Sequence, residues 1–173
     1  MNKIKKTIIT TAVVLGSISV SFGQSSATAA AAANVITPIA IAKITDMNFG
    51  NVAVSTSTGG TVVLTTSSTR TTGGSGGVTL PSTTGTVAAA EFTVSGQASY
   101  TYVITLPSST TITDGSGHSM TVNSFNSTPS STGTLSSGGT QNVKVSATMV
   151  VAAAQPVGSY TNPNGVPVTV NYN

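Results

Sequence analysis

From residue 35 onward, apolar and polar positions alternate over short runs separated by Gly, Ser, Asn and Pro. The last run is the clearest. Val166, Val168, Val170 and Tyr172 alternate with Pro167, Thr169, Asn171 and Asn173. A period of two is the mark of a strand with one buried face. Asn164-Gly165 just before it is a turn signal. The chain is therefore expected to close on a strand whose outer edge nothing later covers. Such an edge offers unpaired N–H and C=O groups to another segment or another chain.

Upstream, residues 35–44 are apolar in both phases. Val35, Ile39 and Ile41 lie on one, and Ile36, Ala40, Ala42 and Ile44 on the other. This predicts a strand buried on both faces. Pro38 lacks a donor and puts the strand at an edge or makes it irregular. Further strands are predicted over 47–52 (broken by Gly50), 61–66, 78–80, 91–95, 100–106, 110–113, 119–125 and 141–151. Glycines at 59–60, 73–77 and 115–117 supply turns. Helical periodicity is absent after residue 24, and 150–154 has room for one helical turn at most. Many short strands at this spacing predict an all-β sandwich or barrel.

The N-terminus reads as a secretory signal peptide over residues 1–23. Lys3, Lys5 and Lys6 form its basic part, and residues 8–15, extending to Val20, its apolar core. Ser21-Phe22-Gly23 offers small residues for cleavage, with Gln24 starting the mature chain; Ala27-Thr28-Ala29 is a second cleavage candidate. The apolar run is short and interrupted by Thr, Gly and Ser, which disfavours a membrane anchor. The expected product is exported through the Sec pathway and secreted or held at the cell surface. Its contact with membrane is confined to export. Residues 24–33 form a low-complexity flexible leader, and 34–173 a single domain.

Removing that peptide changes the charge. The whole chain carries +3, but the rest holds Lys43, Arg70 and Lys144 against Asp46, Glu91 and Asp114, which sums to zero. No basic patch remains for nucleic acid or anionic lipid. Cysteine is absent, so an exported domain must be held by packing and strand pairing alone. Thr and Ser supply the polarity that charge does not, and Thr and Val suit a pleated surface.

Few residues offer chemistry. His118, the only histidine, follows Asp114-Gly115-Ser116-Gly117 in a turn. A His118–Asp114–hydroxyl triad is conceivable on spacing, but a solvated turn histidine is the simpler reading. Asp46, Glu91 and Asp114 fall on separate elements, which argues against paired carboxylates. No ligand set for zinc or calcium is present, and 73–77 follows no pattern that would cradle phosphate. Tyr100 and Tyr102 are expected on one strand face, as packing residues or a tyrosine corner more than a sugar platform. Asn126-Ser127-Thr128 fits a glycosylation sequon that carries little weight in a bacterial-looking export product. No catalytic, metal or cofactor site is expected.

Several elements together resemble a known group of secreted bacterial domains. Met47-Asn48-Phe49-Gly50 after an apolar strand is similar to an element of spore coat protein U-like proteins. Gly158 and Tyr160, followed by the strand of Val166, Val168, Val170 and Tyr172, resemble the tail of that group and of chaperone–usher pilins. The match is closest to an uncharacterised secreted-domain family associated with this pilin-like group, and covers about residues 34–173. The spacer 161–165 is longer than usual, and the disulfide of many pilins is missing. The resemblance implies an immunoglobulin-like antiparallel sandwich lacking its last strand. It implies a groove beside the C-terminal strand, filled by a periplasmic chaperone and then by the next subunit's N-terminal extension. Gly158, Tyr160, Val166, Val168, Val170 and Tyr172 would form the assembly edge. Val35, Ile36, Ile39, Ile41 and Ile44 would form either a donor strand or the domain's own first strand. The second is preferred, because only a polar, Ala-rich leader precedes them. The function expected is a structural subunit of a surface fibre (a pilus or fimbria) or extracellular coat, self-associating by donor-strand complementation. A monomeric adhesin or carbohydrate-binding module is the alternative, and an enzyme is not expected.

Overall fold

The longest alternating run, near the C-terminus, becomes the spine of the domain. In the computed structural model, residues 23–173 are described; the signal-peptide reading of residues 1–22 lies outside them. Residues 23–34 carry no helix or strand, and the β-domain is the compact unit Val35–Asn173. Its strands are β1 (Ala40–Thr45), β2 (Asn48–Phe49), β3 (Ala53–Val54), β4 (Gly60–Leu64), β5 (Arg70–Gly73), β6 (Val78–Thr79) and β7 (Val87–Ala88). They continue with β8 (Ala90–Ser95), β9 (Thr101–Thr105), β10 (Ser109–Thr113), β11 (Ser119–Thr128), β12 (Thr132–Thr134), β13 (Thr140–Val151) and β14 (Thr169–Tyr172). Every pairing is antiparallel, and no helix occurs among the described residues. The domain is an all-β sandwich.

β13 is the spine because its partners change along its length. On one edge, residues 140–145 pair with β8 and residues 147–151 with β4. On the other edge β11 runs alongside, bulging between Asn123 and Asn126. β1 extends this sheet beyond β8, β10 beyond β11, and β5 beyond β4. A second sheet, β12-β9-β14, covers one half; the pairs β2–β7 and β3–β6 cover the other.

The two halves have separate apolar centres. Phe92, Val94, Val143 and Val145 of the large sheet meet Tyr102, Ile104 and Val170 of the second sheet, with Leu135 between them. Farther along β13, Ala147, Met149 and Val151 join Val62, Leu64 and Val122, covered by Phe49 and Val78. Met47 and Phe125 touch both clusters and join them. Each fully buried Val or Leu contributes about 1.5–3 kcal/mol, so a cysteine-free domain is held by these paired layers.

The N-terminal strand differs from its expectation. Pairing with β8 begins at Ala40, not residue 35. Pro38 lacks a donor, and the backbone of Thr37 is already bonded elsewhere, its N–H to Gln97 Oε1 and its C=O to the Tyr172 hydroxyl. Burial on both faces is also corrected. Ile39 and Ile41 pack on the first cluster, whereas Ile44 is 53% and Val35 99% exposed. β1 is an edge strand with a core on one side only. The single helical turn allowed at 150–154 does not form; β13 runs through Val151.

Candidate assembly edge and groove

β14 is shorter than the alternation that predicts it. Thr169, Val170, Asn171 and Tyr172 pair with Thr105, Ile104, Val103 and Tyr102. Continued by two residues, that register sets Pro167 opposite Pro107. Neither has an N–H, so the ladder stops. Val170 is buried, and Val168 and Tyr172 pack half-buried on the first cluster. Thr169 and Asn171 are exposed, as a period of two requires. On its other side β14 has no strand partner among the described residues.

Just ahead of this edge in the chain, a groove of about 1270 Å³ opens that reaches Val166. Residues 43–54 form one of its walls and residues 155–166 the other. Its floor is apolar, with Phe92, Ile112, Met120, Val122, Met149 and Val151. The first wall is fastened by Arg70. Its guanidinium donates from Nη1 to the carbonyls of Phe49 and of Asn51 (2.7 Å to the latter), and from Nη2 to Thr84 O at 3.3 Å. A cation there ties two segments, 49–51 and that of Thr84, to β5 through three carbonyls, without a carboxylate.

The second wall, residues 155–165, is a strap lying along β10. Thr113 and Thr161 exchange backbone hydrogen bonds of 2.9 and 2.8 Å. Asn162 Nδ2 donates to Thr110 Oγ1 at 2.8 Å, and Gln155 Nε2 to Ser119 O at 3.3 Å. Within the strap, the Tyr160 hydroxyl donates to Pro156 O at 2.8 Å and lies 2.9 Å from Gln155 Nε2. Gly158 is exposed and sits against Asp114: a Cβ placed there would lie 3.3 Å from the Asp114 Cβ. Gly158, Tyr160 and Val166 thus line the groove, while Val168, Val170 and Tyr172 anchor the strand that follows.

Of the proposed N-terminal residues, Ile39 and Ile41 belong to the domain's own core. Ile44 is on β1, which pairs with β8. Val35 and Ile36 lie ahead of β1 in the chain, Val35 almost wholly exposed.

The chemical candidates are dispersed. Asp114 accepts from the backbone N–H of Ser116 (2.8 Å) and His118 (3.1 Å), and its Oδ2 is 2.6 Å from His118 Nδ1. The hydrogen bond from the His118 ring holds the Asp114 carboxyl below its usual range. This pair closes the β10–β11 turn. Glu91 accepts from Asn142 Nδ2 on the neighbouring strand, and Asp46 pairs with Lys43 at 2.7 Å. Tyr100 and Tyr102 do not form one platform. Tyr102 is fully buried, its hydroxyl donating to Gln141 Oε1 at 2.7 Å, and burial raises its pKa. Tyr100 lies outside β9 and meets Tyr172 edge-on at 5.7 Å.

Sequence reasoning missed Gln97, Gln141 and Arg70. Gln97 and Gln141 act across strands that only the fold brings together. Arg70 carried one faint signal, as the one basic residue between Lys43 and Lys144.

A family profile described as "Domain of unknown function (DUF4402)" matches residues 39–172. No curated protein and no solved structure matches the chain. With the match running from the start of β1 to the end of β14, the chain belongs to the DUF4402 domain family.

Proposed function

We propose that this protein is an exported structural subunit, assembling by strand addition into a bacterial surface fibre or extracellular coat. The observation that carries the reading is the unpaired outer edge of β14, together with a groove of apolar floor that reaches Val166 at the start of the same alternating run. An extended segment laid there would gain backbone hydrogen bonds from the edge and bury alternate side chains on the floor, which is how strand addition recognises a peptide. The sandwich is then immunoglobulin-like with one strand missing, as the likeness to spore coat protein U-like and pilin domains implies. The partner strand comes from another copy, or from a periplasmic chaperone before assembly. Because 40–45 are committed to β8, a donor from this chain lies upstream of β1. Export with cleavage near Gln24 is part of the same reading, as is a role without catalysis, cofactor or nucleic acid.

Electron microscopy of the purified mature protein and of producing cells tests it. Fibres or a coat that disappear when the groove is blocked at its half-buried floor residue by Met120→Trp, in a variant that still melts cooperatively, are expected. A mature chain that stays monomeric at high concentration, melts cooperatively and leaves cells bare would replace this reading with a monomeric adhesin.

A further inference from the structure

We propose that the strap, residues 155–165, is a gate over the groove: it unlatches from β10 so that an incoming strand can pair with the whole edge 166–172. The proposal rests on the strand-addition reading and adds to it what regulates the site.

The mismatch between alternation and structure is the starting point. Residues 166–172 alternate as one strand, yet only Thr169–Tyr172 is paired. The reason is local. Asn173 N–H donates to Thr101 O, so residues 173, 171, 169 and 167 direct their backbone groups toward β9. The missing donors at Pro167 and Pro107 fall on that inner side. In a continued strand the N–H and C=O groups of Val166, Val168, Val170 and Tyr172 point the other way, and none of these is a proline. The outer edge is intact over seven positions (166 to 172) while the inner one is not. A partner on the outer side is what would complete the strand.

The strap runs directly into that edge and forms one wall of the groove. It lines the groove over its full length, yet no residue of 155–165 belongs to either apolar cluster. Val157 is wholly exposed. Its hydrogen-bonded attachments to the sheet are the Thr113–Thr161 backbone pair and the bonds made by Asn162 and Gln155, the first bond part-buried and the second exposed. Segments held this way open at far lower free energy than a core strand. Release exposes one large side chain of the strap, the half-buried Tyr160, and water replaces the strap's lost hydrogen bonds. The latch rests on the outer edge of β10, which has no strand beyond it among the described residues.

A reversible lock tests the gate. Thr113 and Thr161 form a hydrogen-bonded antiparallel pair, whose Cα separation of about 5.5 Å suits a disulfide. The chain has no other cysteine. In Thr113→Cys/Thr161→Cys, the oxidised mature chain is expected to stay monomeric by light scattering, and the reduced one to assemble like the parent. Equal assembly in both states overturns the gate and leaves strand addition standing. Amide exchange on the parent monomer judges the gate separately, even if copies never assemble. Thr113 and Thr161 amides should exchange about 100-fold faster than those of Asn171 and Val103. Equal protection overturns the gate whatever the assembly result.

Discussion

Tyr172 ties together three distant parts of the chain. Its hydroxyl accepts from the Gln97 N–H at 2.5 Å and donates to Thr37 O at 2.8 Å, while its ring meets Tyr100. Tyr172→Phe keeps the packing and removes both bonds. A folded domain destabilised by about 1–3 kcal/mol in urea melts is expected. Asp114 makes a pH prediction. Its carboxyl is held low chiefly by the His118 hydrogen bond. A depressed folded pKa means the stabilisation is complete above the unfolded value of about 4 and is lost as pH falls through the folded one. Asp114→Asn should therefore flatten the fall of Tm with acid below about pH 4.

Among the elements, β14 shows how strongly one face is specified. Val170 is buried among Phe92, Val94 and Tyr102 in one cluster, whereas Thr169 next to it is exposed. Val170→Asp loses about 1.5–3 kcal/mol of burial, and an unpaired buried charge costs several more. That approaches the whole stability of a domain, about 5–15 kcal/mol. Circular dichroism should show Val170→Asp unfolded and Thr169→Asp folded within about 0.5 kcal/mol of the parent. Gly133 of β12 is a second case. A Cβ there would overlap the Tyr102 phenol and the Gln141 amide. Gly133→Ala should cost about 1–3 kcal/mol, with the buried Tyr102 fluorescence altered.

At the scale of the whole molecule, two truncations separate folding from assembly. The β-domain begins at Val35, so removing residues 24–34 should leave the melting temperature of the monomer unchanged. If the donor lies in that leader, the same truncation abolishes fibres. Removing 24–44 strips most of β1 from β8 together with Ile39 and Ile41, and the monomer should melt at a lower temperature. A short truncation that assembles normally would place the donor in residues 35–39 or in another protein.

Alternation along the chain was enough to determine that the protein is all-β, and it located a strand at 141–151 and the buried face of the last strand; that the former is the spine came from the structure. A period of two is written in side chains, and burial of one face enforces it wherever the strand falls. Glycine runs marked the turns for the same local reason. What the tertiary structure decided is who pairs with whom. Residues 35–39 have a strand's composition, but Gln97 and Tyr172 from remote turns and strands take the Thr37 backbone. Residues 166–168 have a strand's alternation, but the register on β9 sets proline against proline. β7 and β12 are too short to leave a period, and exist because a neighbour lies alongside. The edge of β14 was legible as a strand with one buried side. The groove that reaches Val166 was not, because its walls come from residues 43–54 and 155–166, which only folding brings face to face.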